Sequence, residues 1–377
     1  MNIYRHILPT ILVAAILMLA GGCVHEFPKE DTPQGDGKGD MLLHMRLHTG
    51  SMPLYKVITV GEDPSGRGES TRAATTVPLL RYIVEVYPSE ETPGMKGSKT
   101  GSTTTGGLTR SPIERKTFYI DADKVSDDQY LEMRLEPGTY KFYVWADYTD
   151  IRDEGGKGLY YDATDLADIT VVAEANGEHR GTTDLRQAFR GYTEAEVPES
   201  ALDFDMGLGH MPIVEIPLDM KRPLARFLFI STDVDEFLNS RRPGANRTSQ
   251  RPPSLSDYMV KVRYSGYMPI AFNAFTDRPF DSRLGQWFES TPQAIDSREA
   301  MLGFDYMFVN GAEAGVQLAV EIYDRQTGEK IGSSATITAP LKRGKTTEIR
   351  GRFLTSKADA GVGINPDFDG DYNIEIK

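Results

Sequence analysis

Residues 131–145 read LEMRLEPGTYKFYVW. Leu131, Met133 and Leu135 alternate with charged residues, which is the period-two signature of a half-buried strand. Pro137-Gly138 then breaks the pattern as a turn. Thr139 to Trp145 resumes it with aromatic and β-branched residues, the side chains that fit a pleated surface. Two strand-like runs joined by Glu136-Pro137-Gly138 predict a β-hairpin, with Trp145 in a core. Working outward, the same period recurs over most of the chain. It predicts strands at Met41–His48, Arg81–Tyr87, Ile169–Val172, Ile213–Leu218, Leu224–Ser231, Met259–Tyr264, Phe304–Val309, Val316–Tyr323, Ala335–Thr338 and Thr346–Phe353. Helical signals are few: Asp184 caps a turn running to Phe189, and Asp233 another running to Leu238.

Many short strands at even spacing, without long intervening helices, predict an all-β protein. Irregular sequence from Ser200 to His210 and a fresh strand pattern at Ile213 predict two tandem β-sandwich domains, 41–212 and 213–377, with a few short helices. Each would have about 170 residues, an ordinary domain size. Stretches 61–76, 90–110 and 239–253, rich in Gly, Ser, Thr, Pro and Arg, read as exposed loops.

The amino terminus is of another kind. Residues 1–23 are MNIYRHILPTILVAAILMLAGGC. A lone cation, Arg5, precedes the apolar run Ile11–Ala20, followed by Gly21, Gly22 and Cys23. That is the layout of a secretory signal, 1–22, with small residues at the cut. The apolar run is shorter than the roughly 20 residues a membrane span needs. Cys23 is the chain's one cysteine. Its place resembles the lipobox of bacterial lipoproteins, where the thiol is acylated and becomes the first mature residue. No disulfide is then available, and the 355 residues from Cys23 on must be stabilised by core burial. Residues 23–40 carry Pro28, Pro33, three glycines and five carboxylates, the composition of a lipidated flexible tether. Acidic residues just after the cysteine also resemble the surface-export signal of Bacteroidetes lipoproteins.

The net charge is −13, and removing 1–22 takes away only Arg5, leaving −14. Such a balance disfavours nucleic acid and anionic lipid as partners. The expected membrane contact is the acyl chains on Cys23 in an outer membrane, with the protein exposed at the cell surface.

Chemistry-bearing motifs are scarce. G-x-S-x-G, H-E-x-x-H, a Walker loop and C-x-x-C are all missing from the sequence. Catalytic residues, cofactor ligands and metal ligands are therefore expected to be none, and the protein is read as a non-enzyme. Five histidines follow Cys23: His25, His44, His48, His179 and His210. His44 and His48 share one strand face, where a solvated surface is the simpler reading than a metal pair. Asp367, Asp369 and Asp371 hint at a calcium loop but lack the glycine and glutamate of an EF-hand. Asp162, Asp165 and Asp168, beside Tyr160 and Tyr161, read as caps of a short helix rather than as cation ligands. Trp145 and Trp287 are the candidate aromatic platforms for sugars.

The segments EPGTYKFYVWADYTD, YYDATDLADITVV, IPLDMKRPLARFLFISTDV and FLTSKADAGVGINPDFDGDYNIEI together resemble the fimbrillin-type surface lipoproteins of Bacteroidales. The likeness is greatest to the anchoring and accessory subunits of the minor fimbrium. It runs from about residue 40 to the end, with LDMKRPLARFLF its most telling piece. The resemblance implies two transthyretin-like β-sandwiches, a lipid anchor, and fimbrial subunits as partners through strand exchange. Stalk subunits of that family are cut by an arginine-specific protease after a first strand. Here Arg67 and Arg72 lie in a loop well beyond the first predicted strand, so such a cut stays open. The alternative is a glycan-binding surface lipoprotein.

Overall fold

A computed structural model describes residues 41–48, 78–90, 111–126, 128–150, 152–153, 155–198, 213–242, 251–355 and 372–375. In chain order the strands are β1 (Met41–His48), β2 (Leu79–Pro88), β3 (Glu114–Asp121), β4 (Asp128–Leu135), β5 (Gly138–Thr149), β6 (Tyr161–Asp162), β7 (Ile169–Val171), β8 (Ala188–Val197), β9 (Ile213–Lys221) and β10 (Leu224–Ser231). Helix α1 (Val234–Ser240) follows. Then come β11 (Tyr258–Tyr264), β12 (Met268–Asn273), β13 (Arg278–Arg283), β14 (Trp287–Ser290), β15 (Gln293–Ala294), β16 (Ala300–Phe308), β17 (Glu313–Asp324), β18 (Lys330–Ser333), β19 (Ile337–Lys342), β20 (Thr346–Gly351) and β21 (Tyr372–Glu375). The class is all-β, built as two β-sandwiches with a few short helices, as the alternation predicts.

The first sandwich has one layer ordered β3-β2-β5-β8 and another ordered β9-β1-β4. Leu43, Met45 and Leu47 of β1 and Leu131, Met133 and Leu135 of β4 meet Tyr82, Val84, Phe142 and Val144 from the opposite layer in one apolar core. The layers touch along one margin, where Arg190 and Gly191 of β8 pair with Lys221 and Met220 of β9. A β-carbon at Gly191 would run into the side chains of Leu218 and Met220, so only glycine fits that approach.

Pro137-Gly138 does not close a hairpin. β4 pairs with β1, whereas β5 pairs with β2 and β8. The turn is an arch that carries the chain from one layer to the other. Leu135 and Phe142 consequently enter the same core from opposite sides. Tyr140 steadies the arch, its hydroxyl donating to the Glu136 carbonyl at 3.0 Å. The physical reason is general: alternation fixes which side chains face a core, but not which backbone edge they pair through.

The second sandwich sets β15-β16-β10-β20-β21 against β14-β11-β17, with β18 and β19 both on the far edge of β17. Phe227, Phe229, Val260, Val262, Ile322, Ile337 and Ile349 lie in its core. The sheets change at Arg222-Pro223. A division at residue 213 would separate β9 from β1, its parallel partner in the first sandwich.

Both expected helices are revised. Asp184–Arg186 is one 3-10 turn, capped by Thr183 rather than Asp184, and Ala188 already opens β8. α1 forms where expected, but Asp233 does not cap it. Its carboxylate instead accepts from the Thr355 amide (2.7 Å) and hydroxyl (2.6 Å), pinning the chain that leaves β20. The strand expected at Ala335–Thr338 runs from Ile337 to Lys342. β3 and β13, unanticipated, are rich in polar residues and half-buried or exposed, so they lack a clear alternation, and β8, also unanticipated, buries Phe189 and Val197 at its ends with polar residues between them.

A third apolar cluster joins the sandwiches. Ile83, Tyr143 and Trp145 present the outer face of β2 and β5, Phe308 comes from β16 of the second sandwich, and Phe272 comes from β12. Trp145 is fully buried, and the rings of Phe272 and Phe308 stack at 5.0 Å. A small sheet, β13-β12-β7-β6, spans the joint through Ala271 and Phe272 pairing with Thr170 and Ile169.

Two carboxylates with no exposure to water sit here. Asp147 receives both ends of the Arg81 guanidinium, at 2.8 and 2.7 Å, and the Trp145 indole N–H at 3.0 Å. Asp305 of β16 lies 2.9 Å from Arg186 Nε and 2.6 Å from His179 Nε2, and accepts from the Tyr264 hydroxyl at 2.7 Å. Burial pushes the Asp305 carboxyl up, but Arg186 and then His179 outweigh it and hold the carboxyl below the usual range. A carboxyl lowered on folding stabilises in full above its unfolded value, near 3.9, and that contribution fades as pH falls through the folded value. Asp305→Asn leaves Arg186 as an uncompensated buried cation and should cost about 3–5 kcal/mol at neutral pH. Urea titrations should show that loss, and a shallower decline of stability below about pH 4 in the variant than in the parent chain.

Candidate assembly edge

The two terminal strands are placed very differently. β1 lies inside its layer, antiparallel to β4 over eight register pairs and parallel to β9 over seven. Leu43, Met45 and Leu47 are at most 1 % exposed. The expectation that the N-terminal strand stays paired within its own sandwich therefore holds. β21 ends the five-stranded order and pairs with β20 alone, in parallel, over four register pairs from Thr347↔Tyr372 to Arg350↔Glu375.

β20 is a firm platform. Thr347 and Ile349 point into the core, and the Thr347 hydroxyl donates to the Pro340 carbonyl at 2.6 Å. On the other face Arg350 donates to Glu299 at 2.9 Å and to Glu348 at 3.2 Å. Those bonds, Glu299 first, raise its pKa above the ordinary value. On its inner side β20 is parallel to β10 over six register pairs. Among the described residues the outer backbone edge of β21 has no strand partner. An unpaired row of N–H and C=O groups can accept an added strand.

Cys23, Arg67, Arg72, Asp367, Asp369 and Asp371, like His25 and His210, lie outside the described residues. His44 and His48 do share a face, but each sits beside a carboxylate of β4: His44 Nε2 is 3.3 Å from Glu132, and His48 Nδ1 is 3.3 Å from Asp128. Asp128 also takes Arg46 at 2.8 Å. Asp162 and Asp165 cap turns, not a helix. Asp162 accepts from Thr164, and Asp165 from the Ala167 amide at 2.8 Å. Among the described residues no group of three or more His, Cys, Asp or Glu is arranged to hold a metal. No helix among them is long and apolar enough to cross a membrane. The Trp287 ring is half-buried and covered by Lys261, whose ammonium stands 3.5 Å from its centroid.

Sequence reasoning missed the buried polar groups. A signal for them exists: Asp147 in FYVWADY and Asp305 in LGFDYMF are lone carboxylates inside apolar runs. Such a group is tolerated only if it is paired.

A family model described as "Family of unknown function (DUF6562)" matches residues 55–377. No curated protein matches the chain in sequence. Among solved structures, the chain resembles one proposed to bind polysaccharide, from Bacteroides thetaiotaomicron, with 9 % identity, TM-score 0.38, and 78 % of this chain and 79 % of that one covered. It also resembles the fimbrial anchor protein Mfa2 of Porphyromonas gingivalis, with 10 % identity, TM-score 0.34, and 78 % and 81 % covered. A fimbrial assembly protein from Parabacteroides distasonis is similar at 11 % identity and TM-score 0.33, with 82 % and 90 % covered. Likenesses at this level decide neither an activity nor a partner.

The unequal anchoring of the two termini has a direct readout in amide hydrogen exchange. Backbone amides of Asn373–Glu375 should exchange well ahead of those of Leu43–Leu47, since local opening needs only the β20 ladder to part. Equal protection of the two strands would show that β21 is a fixed part of its sheet.

Proposed function

The chain belongs to DUF6562, a family of unknown function, and from its own residues we propose that it is a surface lipoprotein serving as an anchoring or accessory subunit of a fimbrium. It is held at the outer membrane by acyl chains on Cys23 and joined to a fimbrial subunit by strand exchange at β21. The observation that carries this reading is the contrast between the two ends. An amino terminus with a lipobox-like cysteine leads by a short tether into β1, which is paired on both edges. The other end is a four-residue strand held on one edge. A subunit tied down at one end and exchangeable at the other has the polarity that starting a fibre requires. The resemblance of the quoted segments to fimbrillin-type lipoproteins supports the same role, and no residue is assigned to catalysis. Glycan binding through exposed tryptophans is less well supported, because Trp145 is buried and Trp287 is covered by Lys261.

The experiment has two arms. Cys23→Ala should abolish incorporation of labelled fatty acid and release the chain from the membrane fraction. Deleting residues 371–377 should leave a folded, lipidated protein that no longer retains its fimbrial subunit in co-purification. Fatty acid on the Cys23→Ala chain removes the lipid anchor from the reading. Undiminished capture by the truncated chain, or its unfolding, removes β21 as the exchange site.

A further inference from the structure

Asparagine precedes glycine at two places in the chain, Asn176-Gly177 and Asn310-Gly311. Both pairs lie in turns. Both glycines have positive φ, 87° at Gly177 and 78° at Gly311, a backbone conformation that glycine adopts freely. The sequence makes the two pairs alike, and the fold makes them different.

The first pair is held. Gly177 is buried, and its amide donates to the Glu174 carbonyl at 2.9 Å. The Asn176 side-chain oxygen accepts from the Glu178 amide at 2.9 Å, and the Asn176 backbone carbonyl accepts from the Trp287 indole at 3.2 Å. A β-carbon at Gly177 would run into the Gly285 carbonyl, so this turn is pressed against the one between β13 and β14. The second pair is open. It lies in the link from β16 to β17, just after the buried Val309, and Asn310, Gly311 and Ala312 are all exposed. Among the described residues neither the Asn310 side chain nor the Gly311 N–H has a hydrogen-bond partner. Nothing stands within 4 Å of the place a Gly311 β-carbon would take.

We infer that Asn310 is a site of spontaneous deamidation and that the fold protects Asn176 from the same reaction. The Gly311 backbone nitrogen gives up its proton to base and attacks the side-chain carbonyl carbon of Asn310. A new carbon–nitrogen bond forms, the bond to the side-chain nitrogen breaks, and ammonia leaves with a proton from water. The resulting succinimide is opened by water at one carbonyl to aspartate or at the other to isoaspartate. Glycine leaves the attacking nitrogen uncrowded and the backbone free to turn towards the side chain. At Asn176 the amide that would attack and the carbonyl that would be attacked are both engaged in hydrogen bonds. The product at 310 adds a negative charge in the turn that leads to Glu313, which stands 3.8 Å from Lys342. Its isoaspartyl form lengthens the backbone beside Ala312, whose carbonyl accepts from the Arg343 amide at 2.9 Å. The reaction consumes water alone and does not depend on the fimbrial reading.

The test is ageing of the full-length chain in mildly alkaline buffer, folded and in concentrated urea. Peptide mapping by mass spectrometry follows each asparagine, and enzymatic carboxyl methylation labels isoaspartate. In the folded chain Asn310 should convert at least about tenfold faster than Asn176, which must await local opening of its turn. In urea the two rates should converge. Equal rates in the folded chain overturn the protection of Asn176. A folded-state rate at Asn310 far below its rate in urea overturns Asn310 as an open site. A difference that persists unchanged in urea belongs to the flanking sequence and overturns the role of the fold. Asn310→Gln, whose longer side chain closes a ring less readily, should remove most of the isoaspartate label from the folded chain. Undiminished label in that variant places the modification elsewhere.

Discussion

Asp305 is a carboxylate with no exposure to water, on a strand of the second sandwich, and two of its three side-chain partners come from the first half of the chain. Arg186 and His179 reach it from the stretch between β7 and β8, and Tyr264 reaches it from β11. The same stretch is laced to the second sandwich by its backbone: the Thr182 amide donates to the Phe304 carbonyl at 2.7 Å and the His179 amide to the Trp287 carbonyl at 3.0 Å. A buried ion is costly unless every partner is present. The arrangement of the two sandwiches is thereby restricted to one that brings Arg186, His179 and Tyr264 together.

The apolar joint follows from that restriction. Trp145, Tyr143 and Ile83 lie on the outer face of β2 and β5, a face that in a lone sandwich would meet solvent. Covered by Phe272 and Phe308, it becomes interior. Asp147 on the same face is satisfied by Arg81 and by the Trp145 indole. The turn after β19 also meets the link from β9 to β10 here, where Arg343 Nε donates to the Arg222 carbonyl at 2.9 Å.

The two termini extend the same logic to assembly. β1 is fixed by apolar burial and by ladders on both edges, so it belongs to the body of the protein. β21 has one ladder and sits at the margin of its sheet. Among the described residues nothing pairs with its outer edge, so fewer backbone bonds hold β21 than hold β1.

The sequence by itself determined the class and the core faces. Period-two alternation over 41–48 and 131–135 names residues that are indeed buried, Leu43, Met45 and Leu47 in one and Leu131, Met133 and Leu135 in the other, because the pleat sends every second side chain to one side. It also marked Trp145 as interior. Strand partnership was not legible: LEMRLEPGTYKFYVW reads as a hairpin and folds as an arch between layers, since the turn chemistry is the same for both. Polar strands such as β3 and β13 carried no pattern at all, and the helix expected through Phe189 yielded to the ladder of β8. Only the tertiary structure brought Asp305 to Arg186 and His179, and Arg343 to the Arg222 carbonyl. These are contacts between residues more than a hundred positions apart, which no local spacing encodes and which exist only once the apolar faces have closed on one another.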